Sequence, residues 1–241
     1  MDAESADALV AAFEAFDADL DASVAVFWGE GGSFCEGWDL KSVSSLDRQN
    51  PVGELDFPER GGKPPRGPLG PSRMELSKPV IAAVEGPAVA GGMELAMWCD
   101  VRVMAESAYF GVYCRRWGVP LIDGGTVRLP RLVGQGRALE IILTGRKVPA
   151  EEAYRIGLAD KVVAHGMARA AAEAMAQEIA RFPQACVRAD RLSVYRAHGL
   201  GVRAGLERVW ATSSGIVKAE GIAGALRFAA GRGRHGDFED I

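Results

Sequence analysis

The sequence predicts an α/β fold, with mostly parallel strands and helical crossovers in the first two thirds and a helical C-terminal region. Three observations predict it. Short apolar, β-branched runs recur at residues 23–28, 79–86 and 100–105, each of strand length. Segments of helical period lie between or after them, and such alternation is the pattern of a parallel sheet with crossovers. From Gly134 onward the apolar positions keep a helical period through most of the remaining chain.

Taken in order, residues 3–20 set Leu9, Phe13, Phe16 and Leu20 at helical spacing with acids between them, an amphipathic helix. SVAVFW (23–28) reads as a buried strand, and GEGG ends it in a loop. Residues 48–73 carry six prolines and five glycines among charges, the composition of a long, irregular, mobile loop. PVIAAVEG (79–86) is a second buried strand, DVRVMA (100–105) a third and AYFG (108–111) a short further one. GRALEIIL, AEEAYRIG and MARAAAEAMAQEIARF read as helices, with a small strand DKVV between the last two. Residues 183–228 continue as helix rich in alanine and arginine, and no internal repeat is visible. Glycine-rich loops follow two successive strands, at 29–37 and 86–92. In such architectures ligands sit where loops leave the carboxyl ends of strands.

Composition narrows the function classes. The 241 residues are 48% hydrophobic and 25% charged, enough for a real core, and the net charge is −4. That charge argues against nucleic-acid binding. No apolar run has the length of a membrane span, and the acidic N-terminus lacks the basic region of a secretory signal. Cys35, Cys99, Cys114 and Cys186 show no metal-ligand or disulfide spacing, so a reduced, cytoplasmic chain without metal is expected. His165, His198 and His235 lie outside every glycine-rich or cysteine-bearing stretch and are expected at the surface.

The stretch AVAGGMELAMWCD (88–100) carries the chemistry. A helix start leaves N–H groups unpaired at the positive end of the helix dipole. Gly91-Gly92 there either holds an oxygen that becomes anionic during a reaction or lets helix and strand pack tightly. Glu94 follows within the first turn among Met93, Leu95, Ala96, Met97 and Trp98. A carboxylate so surrounded is partly desolvated or turned to an opening, and desolvation raises its pKa toward the range of acid–base catalysis.

GSFCEGWDLK (32–41), KPVIAAVEGPAVAGGMELAMWCDVRVMAESAYFG (78–111) and GGTVRLPRLVGQGRALEIILTGRKVPAEEAYRIGLADKVV (124–163) together resemble the enoyl-CoA hydratase/isomerase, or crotonase, superfamily. The resemblance implies a crotonase-like spiral of ββα units over residues 1–165 and a helical C-terminal trimerisation region over 166–241. It implies an acyl-CoA thioester as partner, with coenzyme A as part of the substrate and no separate cofactor. The oxyanion donors would be the backbone N–H groups of Trp38 and Gly91. Glu36, Trp38, Asp39, Leu40, Lys41 and Gly91 would flank the substrate, and Glu94 would move protons beside the polarised carbonyl. The assembly would be a homotrimer or hexamer, and the reaction the hydration of a 2-enoyl-CoA.

Four features depart from the family pattern. Cys114 stands where hydratases carry a second glutamate, and it reads as a small buried residue in preference to a nucleophile. Asp123, on the next glycine-rich turn, is either a replacement acid or an Asp-Gly turn residue. Trp38 replaces a small residue; its indole either narrows the acyl pocket or packs away. The chain starts almost at the first helix, where the family has one or two strands before it, which puts its coenzyme A contacts in doubt. Arg232 and Arg234 in the tail are candidates for coenzyme A phosphates, against the alternative of a frayed C-terminus. Isomerisation or thioester hydrolysis on the same site, and non-catalytic acyl-CoA binding, remain as alternatives. RNA binding is disfavoured by the charge, and a serine peptidase by the lack of a Ser/His pairing.

Overall fold

The computed structural model of the chain describes residues 1–44, 46, 49, 52 and 55–238. It opens with helix α1 (Ala3–Ala18), started by Asp2, whose side chain accepts from the Ser5 N–H at 2.9 Å. Strand β1 (Ala25–Trp28) and a single turn α2 (Leu40–Val43) follow. Then come β2 (Val80–Val84), β3 (Pro87–Val89), α3 (Gly91–Trp98), β4 (Val101–Ala105) and β5 (Tyr109–Gly111). Helices α4 (Gly125–Val133) and α5 (Gln135–Thr144), strand β6 (Lys147–Pro149), helix α6 (Ala150–Arg155) and strand β7 (Lys161–Val163) complete the core. Helices α7 (Ala168–Ala180), α8 (Gln184–Ala197), α9 (Val202–Ile216) and α10 (Ile222–Ala229) end it, with a π-turn at Val217–Gly221 between the last two.

Two small sheets result. One is all parallel in the order β1-β2-β4-β7; the other has the order β3-β5-β6, parallel between β3 and β5 and antiparallel between β5 and β6. The chain gives β2 to the first sheet and β3 to the second before α3, then β4 and β5 in the same way before α4. Each of these two turns of the chain is thus a ββα unit. β2 is buried along its whole length between two neighbours, whereas β1, expected as a buried strand, is a half-buried edge. Helix α1 covers that edge: Phe13 meets Phe27 and Trp98 edge-to-face at 5.4 and 4.9 Å. Alanine-rich α7 lies against β1, β2 and β4, with Ala168 and Ala172 fully buried.

Two segments correct the expected outline. The proline-rich stretch was expected to be one long mobile loop; residues 48, 50, 51, 53 and 54 of it lie outside the described residues. Its last part is instead buried from Gly67 to Ser72 and ends in a 3-10 turn, Pro71–Arg73, packed on α1 and α3. Proline there removes donors that burial would leave unpaired, and Gly67 and Gly70 pair backbone to backbone. Helix also begins earlier than Gly134, because α4 accommodates Pro130 in its interior. Strands β3 and β6, three residues each, fall inside stretches whose periodicity marks no strand.

The tail docks on Asp100, a half-buried acid, and on Leu76 O, which accepts from Arg191 Nη1 at 2.6 Å. Asp100 Oδ1 accepts from Arg191 Nε and the Tyr195 hydroxyl, both at 2.7 Å, and Oδ2 accepts from the Val80 N–H at 2.7 Å. This fixes α8 to the core, and α9 and α10 extend from it. Among the described residues no helix is long and apolar enough to cross a membrane.

Candidate active site

The site forms where β3 and β5 end. Residues 33–38 run beside β3: the Phe34 N–H donates to Pro87 O at 2.9 Å and the Val89 N–H to Cys35 O at 3.0 Å. After β3 the chain must turn sharply into α3, and Ala90 takes the strain with φ 52° and ψ −127°. A non-glycine residue in that region is costly and persists where its surroundings over-determine it; here its N–H donates to Gly111 O at 2.8 Å.

The turn leaves the Gly91 N–H at the mouth of α3 with no residue one turn back to accept it. Gly37, at φ 89°, lies against the same peptide: a Cβ on it would stand 3.0 Å from Gly91 N. Trp38, next in sequence, is thereby brought close to the start of α3. Among the described residues neither the Trp38 N–H nor the Gly91 N–H has a protein acceptor, and both residues line one cavity of about 210 Å³. The glycine pair also packs tightly. A Cβ on Gly91 would meet Leu69 Cδ1 at 2.1 Å, and one on Gly92 would meet Cys35 O at 1.9 Å. Close packing and an open N–H coexist at Gly91.

Glu94 lines the cavity one turn into α3 and is only 2% exposed. Its Oε1 accepts from the Gly125 N–H at 2.7 Å and the Asp123 N–H at 3.0 Å, so the carboxylate caps the start of α4. Burial raises its pKa to about 8; the Gly125 N–H opposes the rise and the nearby Asp123 charge adds to it. Gly125 has to be glycine, since a Cβ there would stand 2.9 Å from both Glu94 Cγ and Oε1. Asp123 is buried as well, and burial raises its pKa. Its Oδ1 accepts from the Leu69 N–H at 3.0 Å and from the Ser72 hydroxyl. Burial pushes the Cys114 thiol up, and Glu94 adds to this. Cys114 is therefore held as a neutral thiol.

Of the residues singled out from the sequence, Glu36, Trp38, Leu40, Gly91, Glu94, Cys114 and Asp123 line this cavity. Half-buried Trp38 both packs on the core and forms part of the wall. Asp39 and Lys41 do not line it: Asp39 caps α2 by accepting from the Lys41 N–H at 2.9 Å, and Lys41 is exposed. Arg232 and Arg234 do not reach it either. Both are exposed beyond α10, where Arg234 donates to Phe228 O at 3.2 Å. All three histidines are exposed. Sequence reasoning missed Leu69 and the wall formed by Tyr113, Arg116, Trp117, Val119, Pro120 and Ile122. The only signal for that wall was the aromatic and arginine content of YCRRW, which helical or strand periodicity does not register.

Comparison with known proteins shows the family and the fold. A family model described as enoyl-CoA hydratase/isomerase matches residues 1–198. Enoyl-CoA hydratase EchA19 of Mycobacterium tuberculosis is 39% identical over 178 residues, covering 71% of this chain and 62% of that protein. Mevalonyl-coenzyme A hydratase sidH of Aspergillus fumigatus is 37% identical over 166 residues, covering 69% of this chain and 58% of that protein. The chain thus spans about three fifths of the length of these two relatives. The crystal structure of enoyl-CoA hydratase EchA1 from Mycobacterium marinum superposes with a TM-score of 0.84 at 32% identity, covering 96% of this chain and 87% of that one.

Proposed function

This chain belongs to the enoyl-CoA hydratase/isomerase family and has the crotonase fold, and from that premise we propose that it hydrates a 2-enoyl-CoA with Glu94 as the acid–base group. The observation that carries the reading is the juxtaposition, in one cavity, of two unpaired backbone N–H groups and a buried carboxylate. The thioester oxygen accepts from the Trp38 and Gly91 N–H groups, and the carbon β to the carbonyl becomes electrophilic. Water adds there as ionised Glu94 takes one of its protons. The electron pair of the double bond moves through the α-carbon to the thioester oxygen, where the two N–H groups stabilise the enolate. Glu94 then returns the proton to the α-carbon, so water has added across the double bond and the enzyme is restored. One carboxylate suffices because it accepts and donates in turn. The acyl-CoA partner and a homotrimeric or hexameric assembly belong to the same proposal.

Hydration of crotonyl-CoA, followed by loss of the enoyl-thioester absorbance, tests it. Glu94→Gln should lower kcat by roughly 10² to 10⁴-fold, the usual worth of general acid–base catalysis, with thioester affinity within a few-fold. Full activity in that variant would refute the role. Asp123→Asn keeps the acceptor for Leu69 and Ser72, so it should retain most activity. A loss as large as that of Glu94→Gln would make Asp123 the second acid.

Isomerisation is the second reading; the resemblance does not favour it, because isomerases of the family often keep the acid at the position of Cys114 and this chain keeps Glu94 instead. A double-bond shift needs one proton carrier and no water. Oxygen-18 from solvent water appears in the product of hydration and not in that of isomerisation.

A further inference from the structure

Two turns meet behind the cavity wall: the 3-10 turn Pro71–Arg73 and the glycine turn over residues 123–125. Each carries a group that holds a carboxylate, and one side chain bridges them. We propose that the Arg128 guanidinium is the clamp that joins these turns and so fixes both the position of Glu94 and the electric field on it. Arg128 is thus a positioning residue for the acid–base step. This rests on the role given to Glu94 above.

Arg128 lies at the end of the first turn of α4 and is half-buried. Its Nη1 donates to Asp123 O at 2.8 Å and its Nη2 to Ser72 O at 2.6 Å. Asp123 is also the residue whose N–H meets Glu94 Oε1, and Gly125, the other donor, is two residues on. Gripping the Asp123 carbonyl therefore orients the peptides on both sides of it. Ser72 closes the ring from the opposite turn, its hydroxyl on the Asp123 carboxylate and its carbonyl on Arg128. Gly124 between them sits at φ 96°, and a Cβ there would stand 2.3 Å from Arg128 Nη1, so the backbone makes room for the guanidinium. Only a planar fork of donors spans two carbonyls in this way; an ammonium is a point charge on a flexible stem.

The groups acting on Glu94 are the Asp123 carboxylate from the 123–125 turn, the Arg128 cation from α4 and the Cys114 thiol from the turn after β5. Arg73 acts on Asp123 from the 3-10 turn. Arg128 favours the ionised form of Glu94 against burial and Asp123. Its removal should raise the pKa of Glu94, whereas its replacement by another cation should not.

Two substitutions separate geometry from charge. Arg128→Lys keeps the charge and loses the fork: kcat for crotonyl-CoA should fall about 10- to 100-fold, as for a reacting group misplaced by a fraction of an ångström to 1 Å. Its KM should stay within about threefold and the midpoint of its pH profile should not move. Arg128→Gln loses the charge: the midpoint should rise by about one pH unit. The same midpoint is read without substrate by infrared titration of the carboxyl band, as a difference from Glu94→Gln. An unmoved midpoint in Arg128→Gln, or wild-type kcat in Arg128→Lys, would overturn the proposal. So would failure of both variants to fold, which would make Arg128 a stability residue only. If Glu94→Gln itself turned over crotonyl-CoA normally, the hydratase reading would fail while the infrared midpoint still decided the role of Arg128.

Discussion

The proton that Glu94 holds near neutral pH couples the site to the stability of the fold. In the unfolded chain this carboxyl titrates near the ordinary value of about 4.3, and in the folded protein at about 8. Between those values the folded state binds the proton and the unfolded state does not. Stability contributed by the neutral acid is present at low pH and lost as pH rises through that window. Glu94→Gln, neutral throughout, lacks this dependence. Thermal unfolding of the two proteins from pH 5 to 8 should show the wild type losing up to about 1.4 kcal/mol per pH unit relative to the variant. Parallel curves would mean that Glu94 is ionised and compensated in the fold. Asp123, also raised by burial, is coupled to Glu94 by charge, so the difference reads Glu94 together with its effect on Asp123. Glu94 was legible in the sequence because an acid among Met93, Leu95, Met97 and Trp98 has few uses. Arg128 and Ser72 were not. One arginine in an amphipathic helix and one serine in a proline-rich loop carry no signal until the fold brings their loops together.

At the scale of the elements, the geometry of the oxyanion-type pair depends on how closely the 33–38 segment approaches the start of α3. Gly37 is the contact: besides its positive φ, a Cβ would stand 3.0 Å from both Ala90 Cβ and Gly91 N. Gly37→Ala should therefore push the Trp38 and Gly91 N–H groups apart. We expect a folded protein of lower Tm whose kcat for crotonyl-CoA is reduced by roughly 10²-fold or more, the scale for loss of one oxyanion donor. Unchanged kcat would show that the two N–H groups do not act together. The sequence revealed β1, β2, β4, β5 and β7, most plainly β2 and β4, five residues each and rich in valine and alanine. β3 and β6 stayed hidden because each carries a proline, Pro87 or Pro149, within its three residues, which argues locally against a strand. α4 stayed hidden because Pro130 and two glycines argue locally against a helix that Glu94 caps from elsewhere in the chain. The proline-rich segment misled for the opposite reason: its composition is that of a solvated loop, yet from Gly67 to Ser72 it forms part of the core behind the site.

For the whole molecule, the tail poses the remaining question. Helix α9 packs on α8, and α9 and α10 both pack on the π-turn between them, with little contact to the sheets. They leave Val202, Leu206 and Trp210 more than half exposed along one face of α9, at helical spacing, with Trp210 at 74%, and Val217 likewise in the π-turn that follows. Ile222, Leu226 and Phe228 on α10 are more than half exposed too. Single apolar side chains at a surface need no explanation, but a contiguous stripe of this length marks an interface. The stripe runs along elements that do nothing for the cavity, so a second copy of the chain is the partner that fits best. Closed symmetry would bury the same face on every copy. Sedimentation at micromolar concentration should give a trimer or hexamer, and Leu206→Glu with Trp210→Glu should convert it to monomers without unfolding the core, since neither side chain packs there. The cavity lies elsewhere, so those monomers should retain the Glu94-dependent pH profile. A wild-type protein that sediments as a monomer would leave the stripe without this role.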